Sequence, residues 1–186
     1  DIVDRVLFVT QPARAWSDGA FARHFYLAVG ADVVFRDDRA DLVDGDLAFQ
    51  GVLSAYYEDE TTFGGVYGAY RHQTYDNGDL LQVVALDAYA KHDLALDARG
   101  TKMTIAAEGA ALLGSTDAAR LERARDGLSI RGFAAVARGT VDVPFLRLIP
   151  SLEVGFASGD GDPQNDRNDA FAMDPDYTVG MILFRE

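Results

Sequence analysis

Apolar side chains recur at every second position over long stretches of this chain. Between residues 22 and 36 one parity is wholly apolar: Phe25, Leu27, Val29, Ala31, Val33 and Phe35. The other parity mixes small and polar residues, including His24, Asp32 and Arg36. Successive side chains of a β-strand point to opposite faces, so this period of two predicts a strand with one wholly apolar side.

The same alternation predicts about nine strands in one domain spanning residues 1–186. They cover residues 3–10, 22–36, 46–59, 62–75, 80–92, 101–114, 128–138, 145–158 and 177–184. The Ala and Leu content of 101–114 would also permit a helix, but its alternation favours a strand. Asp59-Glu60-Thr61 and Asp76-Asn77-Gly78 are typical of hairpin turns. We therefore predict an all-β fold, an antiparallel up-and-down meander of long strands.

The strand lengths indicate a membrane. Strands of soluble domains average about five or six residues, whereas a tilted strand needs about nine to eleven to cross a bilayer. Longer polar connections, at 37–45, 115–126 and 159–175, alternate with tight turns, which is typical of outer-membrane barrels. We predict a transmembrane β-barrel or part of one, located in the bacterial outer membrane.

The less apolar parity mixes Gly, Ala and Tyr with charges of both signs, a composition that suits a water-filled lumen. The predicted pore-lining residues are Asp32, Arg36, Glu58, Arg71, Asp87, Lys91, Lys102, Glu108, Arg131, Arg147 and Glu153. The basic members of this set would attract an anionic solute such as an acidic sugar. The acidic members would hold the basic side chains in place. The function this predicts is a non-enzymatic porin-like channel for a polar, or more narrowly an anionic, solute.

One segment carries a family resemblance. Residues 155–163 read Gly-Phe-Ala-Ser-Gly-Asp-Gly-Asp-Pro, and after an Asp/Asn-rich loop residues 171–180 read Phe-Ala-Met-Asp-Pro-Asp-Tyr-Thr-Val-Gly. This pattern resembles alginate-export-type outer-membrane porins, in which a strand enters an acidic extracellular loop and returns through an aromatic strand. The resemblance implies a barrel with many more strands. We therefore expect these residues to be a segment of a barrel that further strands, or other envelope proteins, complete.

Composition excludes several other classes of protein. The 17 Lys and Arg against 30 Asp and Glu give a formal net charge of -13, which argues against nucleic acid as a partner. The chain contains 0 Cys, so disulfides, thiolate metal sites and thiol nucleophiles are excluded. No uninterrupted apolar run is long enough for a transmembrane helix.

Candidate chemistry beyond the lumen is sparse. Asp160, Asp162 and Asp166 provide oxygen ligands that suit calcium, although their spacing departs from an EF-hand and favours a solvated loop. His24, His72 and His92 stand on separate predicted strands, without the spacing of a zinc site. No nucleophile elbow is present. Calcium in the 159–175 loop is therefore the one cofactor that the sequence suggests.

Two other functions fit the same pattern. One is a barrel, or part of one, that anchors a larger envelope complex without transporting anything. The other is a soluble β-barrel or sandwich that binds a ligand, which the negative charge would also suit. Solubility without detergent would favour the soluble binding module.

Overall fold

The computed structural model describes residues 2–37, 40–118, 127–162 and 164–171. Eight strands follow one another in a single antiparallel sheet, each paired with the next in the chain. They are β1 (Ile2–Thr10), β2 (Phe25–Arg36), β3 (Leu47–Glu58), β4 (Thr62–Thr74), β5 (Leu80–Ala95), β6 (Lys102–Thr116), β7 (Leu128–Asp142) and β8 (Ser151–Ala157). The all-β meander is therefore confirmed. The sheet is open, with β1 and β8 at its two edges.

Few other elements are present in the described ranges. A short helix, α1 (Ala20–His24), precedes β2, and 3-10 turns occupy Pro12–Ala15, Leu42–Asp44 and Pro144–Leu146. A short ninth strand, β9 (Arg167–Asn168), pairs in parallel with the start of β7. The strand predicted at 177–184 lies outside the described residues.

The structure confirms most predicted strands and corrects several boundaries. The alternation at 101–114 predicted a strand, and the structure has one at Lys102–Thr116. β5 and β7 extend past the predicted ends of 80–92 and 128–138, to Ala95 and Asp142. The predicted strand 22–36 begins only at Phe25, because residues 20–24 form α1. The predicted strand 145–158 begins only at Ser151. Pro144 begins a 3-10 turn there, and Pro150 has no N–H to donate to a sheet.

The strand register gives the sheet two chemically different faces, because directly opposed residues of an antiparallel pair share a face. One row across seven strands consists of Phe8, Val29, Leu53, Gly68, Leu86, Ala111 and Phe133. We call the side that carries this row the apolar face. The opposite side, which carries Asp32 and Asp87, is the polar face.

The polar face is the more enclosed of the two. Every buried strand side chain in the described residues lies on it, among them Val34, Ala48, Val52 and Gln73. The apolar face remains open to the surroundings, with Phe8 62% exposed and Leu53 56% exposed. This is the reverse of a soluble sheet, which buries its apolar side against a second layer.

The surface area agrees with an uncovered sheet. The chain exposes 13004 Å² at a mass of 20.2 kDa. A compact monomer of that mass exposes about 8,750 Å². The described residues thus form one layer whose apolar side has no protein partner.

The connections alternate between the two ends of the strands. Residues 11–24, 59–61, 96–101 and 143–150 lie at end A, where β1 finishes. The described residues of the connections 37–46, 75–79 and 117–127, and those that follow β8, lie at end B. The described parts of all three long polar connections predicted from the sequence are therefore at end B, although 11–24 is also long. No helix in the described part of the chain is long and apolar enough to cross a membrane.

The tightest turn, between β3 and β4, depends on Asp59. Its carboxylate accepts a hydrogen bond from the Tyr57 hydroxyl at 2.7 Å and from the backbone N–H groups of Thr61 and Thr62 at 2.8 Å each. These bonds, the Tyr57 bond first, hold the pKa of Asp59 well below its ordinary value. Because the pKa is depressed, this stabilisation is complete at neutral pH and is lost as the pH falls below the ordinary carboxyl range.

We expect Asp59→Ala to lower the melting temperature at pH 7 and to leave it nearly unchanged at a pH low enough to protonate Asp59. Thermal unfolding in detergent micelles, followed by circular dichroism across the acid range, measures both effects. Glu60→Ala is the matched control, because Glu60 is an exposed carboxylate in the same turn. Equal effects of the two substitutions would show that the Asp59 hydrogen bonds do not stabilise the turn.

Candidate functional site

The apolar face carries almost no ionisable groups in the described strands. Asp4, Arg131 and, on the short β9, Arg167 are its charged residues there, and His72 and His92 are its histidines. Each of the five lies within about three residues of a strand end. The central belt of this face is therefore free of charge, as a surface in contact with hydrocarbon must be.

The polar face carries a cluster of charges near end B. The Arg5 guanidinium donates to both carboxylate oxygens of Asp32, at 2.7 and 2.8 Å. Asp32 is 3% exposed and also accepts a hydrogen bond from Gln50 at 3.3 Å. On the strand beyond Gln50, Arg71 donates to Asp37 at 2.5 Å and to Gln73 at 2.6 Å.

Three further cations of this face are also paired with carboxylates, whereas Lys102 forms no ion pair with the described residues. Arg36 lies 3.3 Å from Asp41, and Lys91 lies 3.6 Å from Asp93. Arg138 of β7 forms an ion pair with Glu153 of β8. Any anion that approached these cations would therefore have to compete with a carboxylate already in place.

In contrast to these ion pairs, Asp87 and Glu108 place two acidic side chains next to each other on the polar face. Their side chains interact with each other, and no Lys or Arg side chain in the described residues forms an ion pair with either. They lie on neighbouring strands, β5 and β6, well away from the strand ends. The middle of the polar face thus accepts hydrogen bonds and repels anions.

The structure places nine of the eleven predicted pore-lining residues on the polar face and the other two elsewhere. The residues on the polar face are Asp32, Arg36, Glu58, Arg71, Asp87, Lys91, Lys102, Glu108 and Glu153. Arg131 lies on the apolar face, directly opposite Leu113. Arg147 follows the Pro144–Leu146 turn with a φ of 53° and belongs to no strand. The prediction that Arg131 and Arg147 share the polar face is therefore wrong.

Sequence reasoning missed several charged residues of the polar face. Arg5, Asp93, Arg138 and Asp142 lie on it and were not in the predicted set. The signal for Arg138 was ambiguous, since it has the same parity as the apolar residues Ile130 and Val136 on the same strand. The signal for Arg5 was weak, because β1 is short and both of its faces are apolar apart from Asp4 and Arg5.

An aromatic row crosses the polar face closer to end A. Tyr26, Tyr56, Gly65, Tyr89 and Glu108 are successive register partners on β2 to β6. The rings of Tyr26 and Tyr56 stack with centroids 4.9 Å apart. The ring centroid of Phe63 lies 6.0 Å from that of Tyr56 and 5.5 Å from that of Tyr89. Phe63 therefore connects the Tyr26–Tyr56 pair with Tyr89. Together the four rings form a continuous aromatic surface that ends at Glu108.

Gly65 makes room for this row. A Cβ atom there would lie 2.6 Å from Cβ of Tyr56 and 2.8 Å from the carbonyl oxygen of Ala55. Any side chain at position 65 would therefore displace Tyr56 from its partner strand. The glycine between two tyrosines is thus the residue that lets the rings approach each other.

A second aromatic cluster lies on the other side of the sheet at end A. Phe21 stacks on Phe25 and on Tyr57, with centroids 5.2 and 5.9 Å apart. Phe25 and Tyr57 belong to the apolar face. Aromatic side chains at the margin of an apolar belt are typical of barrels at the membrane interface.

The segment after β8 returns beside β7, where β9 pairs with it, and its last described residues reach over the polar face. The Ser158 hydroxyl donates to the carbonyl of Asp169 at 2.7 Å, and the Phe171 N–H donates to the carbonyl of Ser158 at 2.9 Å. A Cβ atom at Gly132 would lie 3.0 Å from the carbonyl oxygen of Ala170. This segment helps to enclose a cavity of about 950 Å³, which Arg71, Asp87 and other polar-face residues also line.

The calcium candidates take part in local turns. Asp160 accepts a hydrogen bond from the backbone of Asp162 at 3.1 Å, and Asp162 accepts one from the backbone of Gln164 at 3.1 Å. The backbone carbonyl of Asp166 accepts from Ser129 at 2.9 Å. Within the described ranges, no three His, Asp or Glu side chains are grouped in a way that could hold a metal ion.

Comparisons of this chain with protein families, with curated proteins and with solved structures found no match. Any functional inference must therefore come from the geometry of the two faces.

Proposed function

We propose that this chain forms part of an outer-membrane β-barrel and that its polar face lines a porin-like channel for a polar solute. The supporting observation is the division of charge between the faces of one uncovered sheet. Charges on the apolar face are confined to strand ends, whereas charges on the polar face extend through the middle of the strands. Lipid would cover the first face, and water and solute would contact the second.

Strand length supports the same proposal. The six central strands are 12 to 16 residues long, more than the about nine to eleven residues that a tilted strand needs to cross hydrocarbon. The resemblance of residues 155–163 and 171–180 to alginate-export porins points to the same class. The open sheet requires further strands between β8 and β1 to close the barrel, because exposed strand edges are not tolerated in a bilayer.

Preference for an anionic solute is no longer part of this proposal. It relied in part on Arg131 and Arg147, which do not lie on the polar face. Five of the cations that do lie there, Arg71 among them, have carboxylate partners. A polar solute selected by size and hydrogen bonding fits the arrangement better.

A test of the proposal is detergent extraction followed by electrophoresis and conductance. We expect the protein to require detergent, to migrate differently before and after boiling in denaturing gels, and to conduct ions in planar bilayers. Recovery as a soluble monomer without detergent would contradict the proposal and favour the soluble binding module. Heat-modifiable migration without conductance would favour the anchoring barrel instead.

The anchoring barrel is supported by the segment 164–171. Its last residues, Ala170 and Phe171, lie against Gly132 and cover part of the polar face, so they narrow the space there. A channel that it closed completely would conduct no ions. The conductance measurement therefore separates the two barrel functions.

A further inference from the structure

We propose that the row formed by Tyr26, Tyr56, Phe63, Tyr89 and Glu108, which we call the aromatic row, binds an uncharged saccharide. This inference rests on the proposed channel and names the class of solute that it would take. Saccharide rings present two kinds of surface, apolar patches of C–H groups and an outer rim of hydroxyls. A complementary site must supply aromatic surface together with hydrogen-bonding groups.

The rings supply the aromatic surface. They occupy neighbouring strands and all lie on the polar face, at half-buried positions that stay accessible from that side. At about 4.8 Å per strand, the row from Tyr26 to Glu108 spans about 19 Å, which is enough for several sugar units in line. An aromatic cluster that served only to stabilise the sheet would not need to be continuous over this length.

The tyrosine hydroxyls supply part of the hydrogen bonding. Within the described residues, the hydroxyls of Tyr26, Tyr56 and Tyr89 have no hydrogen-bond partner. By contrast, the hydroxyl of Tyr57, on the apolar face, donates to Asp59 at 2.7 Å. Phenol groups without a protein partner can donate to and accept from sugar hydroxyls.

The carboxyl groups of Glu108 and Asp87 favour an uncharged ligand over an anionic one. Glu108 ends the row, directly opposite Tyr89, and Asp87 lies beside it. The nearest cations along the sheet, Lys91 and Arg138, are paired with Asp93 and Glu153. Ionised carboxylates accept strong hydrogen bonds from hydroxyls and repel other carboxylates, so a neutral saccharide is favoured over a uronate.

The test compares two saccharides on the protein in planar bilayers. The probes are maltohexaose, which is neutral, and an oligogalacturonate of the same length. We expect maltohexaose to interrupt the ion current, and the oligogalacturonate to require at least a tenfold higher concentration for the same block. An equal or stronger block by the oligogalacturonate would overturn the assignment of a neutral ligand.

Three substitutions and one control substitution test where the sugar binds. Tyr56→Leu should weaken the maltohexaose block at least tenfold and Tyr56→Phe less, because the phenylalanine keeps the ring. The matched control is Tyr70→Leu, since Tyr70 lies on the apolar face of the neighbouring strand and is 46% exposed. Glu108→Gln replaces one of the two neighbouring carboxyl groups without changing size and should strengthen block by the oligogalacturonate. Equal effects of Tyr56→Leu and Tyr70→Leu would show that the row does not bind the sugar.

The outcomes separate this inference from the proposed function. A protein that conducts ions but is blocked by neither saccharide would retain the channel and refute the binding site. If the protein does not conduct, isothermal titration of maltohexaose into the detergent-solubilised protein still tests the site. Absence of binding there, or binding that Tyr56→Leu leaves unchanged, would refute it as well.

Discussion

Leu53→Arg is expected to prevent stable insertion of the protein into a bilayer. Leu53 lies in the middle of β3 on the apolar face, and its neighbours across the sheet are Val29 and Gly68. An arginine at the bilayer midplane of a barrel costs about 2–4 kcal/mol on the lipid-facing side. In a soluble protein the same change at a side chain 56% exposed would be nearly neutral. The two classes of protein therefore predict opposite results.

Ser54→Arg is the matched control for Leu53→Arg. Ser54 is the next residue of the same strand, and its side chain lies on the polar face between Ala28 and Tyr67. An arginine there would extend into water, so insertion should be close to that of the unsubstituted protein. The fraction of protein folded into lipid vesicles, read from heat-modifiable migration, measures both variants. Equal insertion of the two would refute the assignment of the apolar face to lipid.

The alternation of residue types was enough to predict the fold because a strand has a strict period of two. Leu53 and Ser54 could be assigned to different faces without any knowledge of their partners. The same signal predicted that residues 101–114 form a strand despite their helix-forming composition, and the structure confirms this. Closure of the sheet into a barrel could not be predicted in this way, because closure depends on pairing between distant segments.

Alternation failed where both parities of a segment are apolar or where proline interrupts it. In β7, Ile130 and Phe133 fall on opposite faces, so the sequence did not reveal which face Arg131 would join. The register with β6 decides this by placing Arg131 opposite Leu113. Leu146 and Leu148 also alternate with Arg147, yet Pro144 and Pro150 remove the N–H groups that a strand would need.

The aromatic row was beyond sequence reasoning for a related reason. The number of tyrosines was evident, but whether Tyr56 meets Tyr26 or a neighbour depends on register, which turn length and packing fix. The three-residue connection at 59–61 sets Tyr56 opposite Gly65. A shift of one residue would move one tyrosine to the other face and separate the rings.

Glycine at position 114 is needed for the pairing of β5 with β6. A Cβ atom there would lie 2.8 Å from Cα of Val83 and closer still to the carbonyl oxygen of Gln82. Both are backbone atoms, so the clash can be relieved only if the two strands separate. We expect Gly114→Ala to lower the free energy of unfolding by about 3 kcal/mol, at the upper end of the usual cost of overpacking.

Gly109→Ala provides the comparison on the same strand. The nearest atom to a Cβ at position 109 is the carbonyl oxygen of Ala134, at 3.9 Å, which is an ordinary contact. Urea titration of the two variants in detergent micelles should show a large decrease in the free energy of unfolding for Gly114→Ala and almost none for Gly109→Ala. Similar losses would mean that β5 and β6 are less closely paired at position 114 than the structure shows. Because the described residues form one layer, no second sheet could compensate for this separation.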